Sequence, residues 1–298
     1  MRLDFFDDPA AFLAVAGDHL AKDPVLSTVL ATVTGRAAES VDPPRAGGPR
    51  WWLAVRDGDE VVGAAMRTAP VPPHAMYVLP MPEPAAVELA RVLHERGEVA
   101  PAINGMLPAA ARVAEETARL TGGTVREVEH TFLYELEELR PGAPVPGRLR
   151  AATPDDLELV VEWYAAFEED AAEQAGRPEA HRTPEPQDAD SVRPRIEQGL
   201  VWLWEDESGN AVSVTAHNAP AYGVVRVGPV FTPKDQRGRG YGRAGVAAVS
   251  RRLLDHGHRV CLFADVDNPV STGLYTSLGY RPRVEQTGLV LSIPGVPG

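Results

Sequence analysis

Residues 227–243 read VGPVFTPKDQRGRGYGR, and this stretch decides the fold of the second half of the chain. The apolar run from Val224 to Phe231 predicts a β-strand that Gly228-Pro229 interrupts, as a β-bulge would. A polar turn with alternating glycines leads from this strand into the amphipathic pattern of a helix from about Gly242 to Asp255. The sequence therefore predicts a strand, a glycine-rich turn and a helix in direct succession.

The glycine-rich turn has the composition of an anion-binding loop. Glycines let backbone N–H groups approach an anion closely, and the N-terminus of the following helix adds partial positive charge. Basic side chains lie in the same turn: Lys234, Arg237, Arg239 and Arg243. In a chain of formal net charge -13, such a cluster indicates a small polyanion, for instance a phosphorylated cofactor. The alternative is an ordinary connection with a solvated basic loop, which rarely needs three glycines and three arginines together.

A dinucleotide site is a second functional interpretation of the same residues. Residues 240–245 (GYGRAG) match the G-x-G-x-x-G fingerprint, and Asp265 follows at a predicted strand end, where a ribose-binding acid would lie. However, a Rossmann turn places its first glycine at the strand end, whereas residues 232–239 intervene here. Residues 266–298 are also too few to supply the remaining strands of a doubly wound sheet. Hydride transfer is therefore disfavoured.

The turn resembles motif A of the GNAT acetyltransferases, an R/Q-x-x-G-x-G/A loop that Arg237-Gly238-Arg239-Gly240-Tyr241-Gly242 fits. A second match lies downstream, where Asn268, Tyr275 and then Leu278-Gly279-Tyr280 are similar to the family's N-x(6)-Y…G-F/Y ending. The two motifs stand in the family's order and spacing. The resemblance covers roughly residues 148 to 298.

The resemblance implies a role for each matching residue. The backbone of residues 230–232 would pair with the pantetheine arm of acetyl-CoA, and the amide of Val230 would polarise the thioester carbonyl. Backbone amides from Gly238 to Arg243 would hold the pyrophosphate, Asn268 would touch the pantetheine, and Tyr275 would act near the sulfur as general acid. The implied catalytic residues are Tyr275 and Val230. The implied cofactor-binding residues are Val230, Phe231, Thr232, Arg237, Gly238, Arg239, Gly240, Tyr241, Gly242, Arg243 and Asn268.

The general base is the part of the family pattern that this chain lacks. Phe263 stands on the penultimate strand where some members keep a glutamate, and a Gly-Pro directly precedes Val230. Asp265 is either a base or a carboxylate that stabilises its loop. His217 and Cys261 are interpreted as structural residues. An acidic run is either solvated helix surface or attracts a cationic amine; it comprises Glu168, Glu169, Asp170 and Glu173.

Composition limits the classes of partner and compartment. Hydrophobic residues make up 44% of the chain and charged residues 24%, as in ordinary globular proteins. No apolar run approaches the ~20 residues that span a bilayer, and MRLDFFDD carries acid where a signal peptide is basic. The net charge of -13 disfavours a nucleic-acid or membrane partner. The single cysteine permits neither an internal disulfide nor a cysteine zinc site, so we expect a cytoplasmic protein with no metal ligands.

Two domains are expected, separated by the Pro/Gly-rich run RPGAPVPG at residues 140–147. The halves show a similar order of helix, hairpin, helices and final strand, which indicates an internal duplication. In the first half the place of the phosphate loop, residues 78–82 (VLPMP), is proline-rich and uncharged. Residues 1–140 are therefore interpreted as a degenerate GNAT-like domain, and residues 148–298 as the catalytic one.

The predicted elements follow from hydrophobic periodicity and from turn and cap residues. In the second half, Thr153 begins a helix that runs to about Glu168, and residues 170–190 form an acidic, Pro-rich loop. The other predicted helices cover 10–30, 84–96, 109–120, 242–255 and 270–278, and the predicted strands cover 51–55, 61–66, 131–136, 148–152, 200–204, 211–216, 224–231, 260–264 and 288–293.

Together these patterns predict an α/β protein of two tandem GNAT-like acyl-CoA acyltransferase domains, each a mixed sheet with flanking helices. The expected reaction is direct attack of an amine on acetyl-CoA. The acceptor would be an amine on a small molecule or a peptide, and a homodimer is a candidate assembly. A non-catalytic acyl-CoA-binding regulatory module is the alternative, and an identified base would discriminate the two.

Overall fold

The computed structural model describes residues 1–39, 50–68, 75–174 and 188–295. The chain divides into two compact units, Met1–Thr131 with Val284–Gly298, and Phe132–Arg283. Two strands, β6 (Thr124–Leu136) and β12 (Tyr280–Ser292), have residues in both units. None of the helices in these described ranges combines the length and the apolar character needed to cross a bilayer.

The first unit contains a mixed sheet with the strand order β1-β2-β3-β4-β5-β12. Strands β4 and β5 run parallel, and the other neighbours in this order pair antiparallel. Its further elements are β1 (Arg2–Phe6), α1 (Pro9–Lys22), α2 (Thr28–Glu39), β2 (Trp51–Asp57), β3 (Glu60–Arg67), β4 (Met76–Val78), α3 (Glu83–Glu95), β5 (Ala102–Met106) and α4 (Ala109–Thr121).

Helices α3 and α4 cover one face of this first sheet. Small and branched apolar residues recur at helical spacing on both helices, as in Ala86, Leu89 and Ala90 of α3, so that each helix buries one stripe. These stripes form one core cluster with residues of β2 and with Leu289 and Leu291 of β12. The end of the chain therefore contributes to the core of the first unit.

The second unit contains the strand order β6-β11-β10-β9-β8-β7, with β10 parallel to β11 and antiparallel to β9. Its further elements are β7 (Arg148–Ala151), a 3-10 turn (Pro154–Asp156), α5 (Leu157–Gln174), α6 (Ala189–Glu197), β8 (Val201–Glu205), β9 (Ala211–His217), β10 (Val224–Phe231), a 3-10 turn (Lys234–Gln236), α7 (Tyr241–Asp255), β11 (Arg259–Asp265) and α8 (Pro269–Leu278).

Helices cover both faces of the second sheet. Helices α5 and α6 share a buried cluster with Val214 and Ala216 of β9, whereas α7 and α8 share another with Val225 and Val227 of β10. The mixed α/β architecture predicted for each half is therefore present.

The order of elements in the two halves is the same. Leaving out the 3-10 turns, β1 to β6 and β7 to β12 both follow the order β-α-α-β-β-β-α-β-α-β, which supports the predicted duplication. The compact units nevertheless differ from the predicted domains 1–140 and 148–298. Residues 284–298 group with the first unit because Gln286–Val290 pair with β5, and residues 132–136 of β6 group with the second.

Several predicted boundaries were wrong. The helix expected over 10–30 is two helices, α1 and α2, with Asp23-Pro24 between them, because the residue before a proline disfavours the helical region. Helix α5 continues to Gln174, so the first part of the loop predicted over 170–190 is helical, and α6 already begins at Ala189. The rest of that loop, 175–187, lies outside the described residues. Three short strands, β1, β4 and β5, were missed.

Candidate functional site

Strand β10 is bulged where the sequence predicts it. The pairing of β10 with β9 shifts between Val227 and Val230, across Gly228-Pro229. Val227 packs in the cluster beneath α7; after the shift Val230 borders the same cluster, whereas Phe231 packs in the cluster beneath α5. An extra residue in a strand reverses the faces of all residues after it, so the bulge determines how Val230 and Phe231 are presented.

Beyond the bulge, one edge of β10 pairs with no strand among the described residues. The register between β10 and β11 joins Val224–Arg226 to Arg259–Cys261, after which both strands continue. On its other edge, β10 stays paired with β9 through Val230 and Phe231. An extended ligand can add to such an edge as an extra strand. This open edge is formed by the residues at which the resemblance to the GNAT family implies that the pantetheine arm binds.

The N-terminus of α7 lies directly after this edge and the turn that follows it. Gly240 precedes the helix with φ +85°, a left-handed conformation that favours glycine, and no side chain caps the helix there. The amide of Ala244 makes the first intrahelical bond, to the Gly240 carbonyl, at 2.9 Å. The N–H groups of Tyr241, Gly242 and Arg243 are therefore left without an intrahelical acceptor, next to the positive end of the helix dipole. The arrangement fits an anion.

The other glycines of the turn bring α7 close to the sheet. A Cβ on Gly242 would lie 3.0 Å from the hydroxyl of Thr232, and a Cβ on Gly245 would lie 2.7 Å from that of Thr215. The Thr232 hydroxyl is itself held by Ser213 at 2.9 Å. Helix-to-strand contact thus accounts for Gly245, and the G-x-G-x-x-G match does not require a dinucleotide.

This contact leads to a stability prediction that compares two glycines within helices. We expect Gly245→Ala to destabilise the protein by about 1–3 kcal/mol, because the methyl group would press on the buried Thr215 side chain. Gly273 of α8 is exposed, and nothing lies within 4 Å of a Cβ there, so Gly273→Ala should stabilise by roughly 0.4–1 kcal/mol. Denaturant unfolding of both variants is the measurement; equal effects would contradict the close approach.

Two of the four cations in the turn pair with helix α5. Arg237 forms an ion pair with the buried Asp170 and donates from Nε to the Thr232 carbonyl at 2.9 Å. Lys234 lies 2.7 Å from Glu173 and 3.4 Å from Asp170. Burial lowers the pKa of Arg237. These ion pairs hold the glycine-rich turn against α5, and they partly neutralise its basic cluster within the protein.

Two residues of the acidic run of α5, Asp170 and Glu173, have a role that neither interpretation of the run included. Asp170 and Glu173 hold the basic turn, rather than forming only a solvated surface or attracting an amine. Glu169 is exposed. The side chain of Glu168 lies outside the described part of the structure.

The remaining two arginines of the turn are Arg239 and Arg243. Arg243 donates to the Arg140 carbonyl at 3.5 Å and lies against Gly142, so it holds the 140–142 segment. Arg239 is exposed and forms no ion pair with any described residue. Arg239 is thus the cation of this turn that remains for a bound anion.

Tyr275 borders the cluster that Val230 also borders. Its ring stands edge-on to Tyr280, with centroids 6.0 Å apart, and burial raises the pKa of the Tyr275 hydroxyl to about 12. The hydroxyl is consequently protonated at neutral pH, and within the described ranges it has no hydrogen-bond partner. Both predicted catalytic groups thus adjoin one cluster beside the open edge of β10.

Comparison with known proteins bears on the fold that carries this site. Residues 210–289 match a family model described as FR47-like protein. A GCN5-related N-acetyltransferase from Sphaerobacter thermophilus has a TM-score of 0.58 at 17% identity over 99% of this chain and 98% of that one. A GNAT-family acetyltransferase from Colwellia psychrerythraea has a TM-score of 0.55 at 11% identity, covering 98% and 99%. The chain has the GNAT fold.

A tandem GNAT protein from the clavulanic acid biosynthesis pathway is similar over 100% of both chains, with a TM-score of 0.52 and 15% identity. No curated protein sequence matches this chain. The solved structures confirm the predicted GNAT fold and its α/β class, and the family model matches the part of the second half that carries both motifs.

In this GNAT fold, Asn268 and Asp265 serve the loop between β11 and α8. The Asn268 side chain caps α8 by accepting from the Ser271 amide at 3.0 Å, a role that its place before Pro269 could have indicated. The Asp265 carboxylate accepts from the Asp267 amide at 2.8 Å, the loop-stabilising alternative of the two proposed for it. The predicted contact of Asn268 with pantetheine stays a prediction.

Both nitrogens of His217 are engaged, as expected of a structural histidine. Nε2 lies 3.3 Å from the indole nitrogen of Trp202, and Nδ1 lies 3.0 Å from the Asn218 carbonyl. Burial lowers the pKa of His217. The hydrogen bond to the Asn218 carbonyl raises this pKa, and the charges of Arg195 and His258 lower it, so the ring is neutral at pH 7. Cys261 is buried in β11, also as expected.

Neither helix α6 nor its residue Arg195 was predicted from the sequence. The guanidinium of Arg195 lies 3.4 Å from the Gly228 carbonyl in the bulge of β10. The bulge itself was predicted, but no local pattern connects a residue on a separate helix to it.

Proposed function

We propose that this protein is an N-acetyltransferase that transfers the acetyl group of acetyl-CoA to an amine by direct attack. The observation that carries the proposal is the open edge of β10 at Val230 and Phe231, followed within ten residues by the uncapped N-terminus of α7. A strand edge suits the amide-bearing pantetheine arm, and an uncapped helix N-terminus suits a pyrophosphate.

In this proposal the backbone binds and polarises acetyl-CoA. Amides of residues 238–243 hold the pyrophosphate, and Arg239 adds a charge that is not neutralised by a described acid. The N–H of Val230 donates to the thioester carbonyl, which stabilises the negative charge that develops when the amine attacks. The bulge before Val230 supports this role, because it changes the direction in which the backbone groups of Val230 point.

The chemical step needs an amine that has lost its proton and a thiolate that leaves. The tetrahedral species collapses by breaking the carbon–sulfur bond, and Tyr275 gives its proton to the CoA thiolate. The proton that the attacking nitrogen loses passes to solvent water, from which the Tyr275 phenolate regains its own. Asp265, the described residue that was a candidate for a base, is engaged in its loop, and both nitrogens of the structural His217 are engaged as well. We therefore propose that the amine enters as the free base.

A non-catalytic acyl-CoA-binding module is the second candidate, favoured by Phe263 at the place of the family's glutamate. CoA release from acetyl-CoA in the presence of a panel of amines discriminates the two candidates. Binding without release for every amine would favour the module.

Tyr275→Phe tests the general acid. We expect kcat to fall roughly 10- to 1000-fold with acetyl-CoA affinity changed little, because only the hydroxyl is deleted and the ring packing is kept. Tyr134→Phe is the control, since Tyr134 lies in the same buried cluster but is not assigned to the reaction. Initial rates of CoA release provide the measurement. A wild-type rate for Tyr275→Phe, with chemistry shown to limit turnover, would return Tyr275 to the core.

A further inference from the structure

Arg195 of α6 lies against the bulge of β10 without a matching anion. Its Nη2 group lies 3.4 Å from the carbonyls of both His217 and Gly228, and its Nη1 group lies 3.5 Å from Oδ1 of Asn218. All three acceptors are neutral, and all three distances are at the long end for hydrogen bonds to a guanidinium. No described carboxylate forms an ion pair with Arg195.

The polar groups around this guanidinium are incompletely satisfied. The Nε atom of Arg195 is buried and has no hydrogen-bond partner. Tyr164 of α5 is 1% exposed, its ring centroid lies 5.9 Å from the guanidinium, and its hydroxyl interacts with Arg195 without meeting the geometry of a full hydrogen bond. Buried polar groups without partners are costly, so an acceptor group placed here would be stabilised by the Arg195 Nε–H and by the Tyr164 hydroxyl.

The site is next to the proposed reaction centre. The Gly228 carbonyl that Arg195 contacts belongs to the bulge, two residues before Val230, whose amide is assigned to the thioester carbonyl. Arg195 is half-buried rather than enclosed. A small molecule whose amine reaches the thioester can therefore place a second group at Arg195.

We propose that the acceptor amine also carries a carboxylate, and that Arg195 binds this carboxylate while the amine attacks. The inference rests on the proposed acetyltransferase function. A carboxylate fits better than a phosphate dianion, because one guanidinium balances one negative charge, and the net charge of -13 opposes a more highly charged acceptor. Tyr164 and Asn218 add neutral hydrogen-bonding groups at the same place.

The test compares each amino acid-like acceptor with its uncharged counterpart, for example 4-aminobutyrate with 4-aminobutanamide and β-alanine with β-alaninamide. Rates of CoA release are measured for the wild type, Arg195→Met and Arg195→Lys. We expect Arg195→Met to lower kcat/KM for the carboxylates at least 30-fold, mainly through KM, and to change that for the amides less than threefold. Dividing the loss of kcat/KM for each carboxylate by the loss for its amide removes the effect of the different basicities of the two amines. Arg195→Lys should recover part of the preference.

A purely structural role for Arg195 predicts a different result. Arg193→Met on the exposed side of α6 is the matched control and should leave both kinds of acceptor unaffected. Calorimetric titration with acetyl-CoA shows whether each variant keeps a folded cofactor site. Equal losses for carboxylates and amides, or a wild-type preference for the amides, would overturn the inference alone. Absence of CoA release with any amine, while acetyl-CoA binds, would overturn the proposed function and the inference with it.

Discussion

Replacing Gly240 with aspartate should weaken acetyl-CoA binding by well over tenfold, which corresponds to about 1.4 kcal/mol or more. Gly240 immediately precedes α7, where the amides of residues 241–243 have no intrahelical acceptor. A carboxylate at this place competes for the same amides and repels a pyrophosphate. Calorimetric titration with acetyl-CoA is the measurement, and it should also give one site per chain, because residues 78–82 at the corresponding place in the first half are uncharged.

Backbone strain must be separated from charge in this experiment. Gly240 has φ +85°, and a Cβ there would lie 3.1 Å from a methyl group of Val145, so part of any loss could come from strain. Gly240→Ala introduces the strain without the charge and should lose less affinity. Gly58→Asp, in the β2–β3 hairpin of the first unit at φ +60°, introduces a similar strain outside the second unit and should leave affinity unchanged. Unchanged affinity in a folded Gly240→Asp variant would remove the phosphate-binding claim, and tight NAD binding by the wild type would restore the dinucleotide interpretation.

A chain that ends at residue 283 should fail to fold its first unit, although every residue from 1 to 131 is present. Residues 286–290 pair with all five residues of β5, and Leu289 and Leu291 are buried in the core cluster of that unit. Removing them deletes a strand from the sheet and two side chains whose burial is worth roughly 1.5–3 kcal/mol each. Such a loss is large relative to the net stability of a domain, about 5–15 kcal/mol.

Hydrogen exchange of the amides in β2 to β5 measures this loss directly, because protection there reports folding of the first unit. A chain ending at residue 293 is the control and should keep full protection. The point variant Leu289→Ala should cost about 2–5 kcal/mol. Val290→Ala should cost less, since Val290 is only half-buried. Native protection in the chain ending at 283 would show that residues 1–131 fold without β12.

The sequence determined the local features of the site. The strand, the bulge at Gly228-Pro229, the glycine turn and the start of α7 all depend on neighbouring residues, because turns, caps and bulges are set by backbone conformation within a few positions. The packing of Cys261 and the structural role of His217 followed from their places in predicted strands. The order of elements in each half could also be predicted well enough to indicate a duplication.

Only the tertiary structure decided which distant segments meet. Residues 284–298 complete the sheet of the first unit, Asp170 pairs with Arg237, and Arg195 reaches the Gly228 carbonyl. A strand has two edges that its own sequence does not distinguish, and a charged side chain pairs with whichever partner the packing brings within reach. Such contacts join residues that are far apart in the chain, so they depend on how all the elements pack together, and no pattern within one segment specifies them.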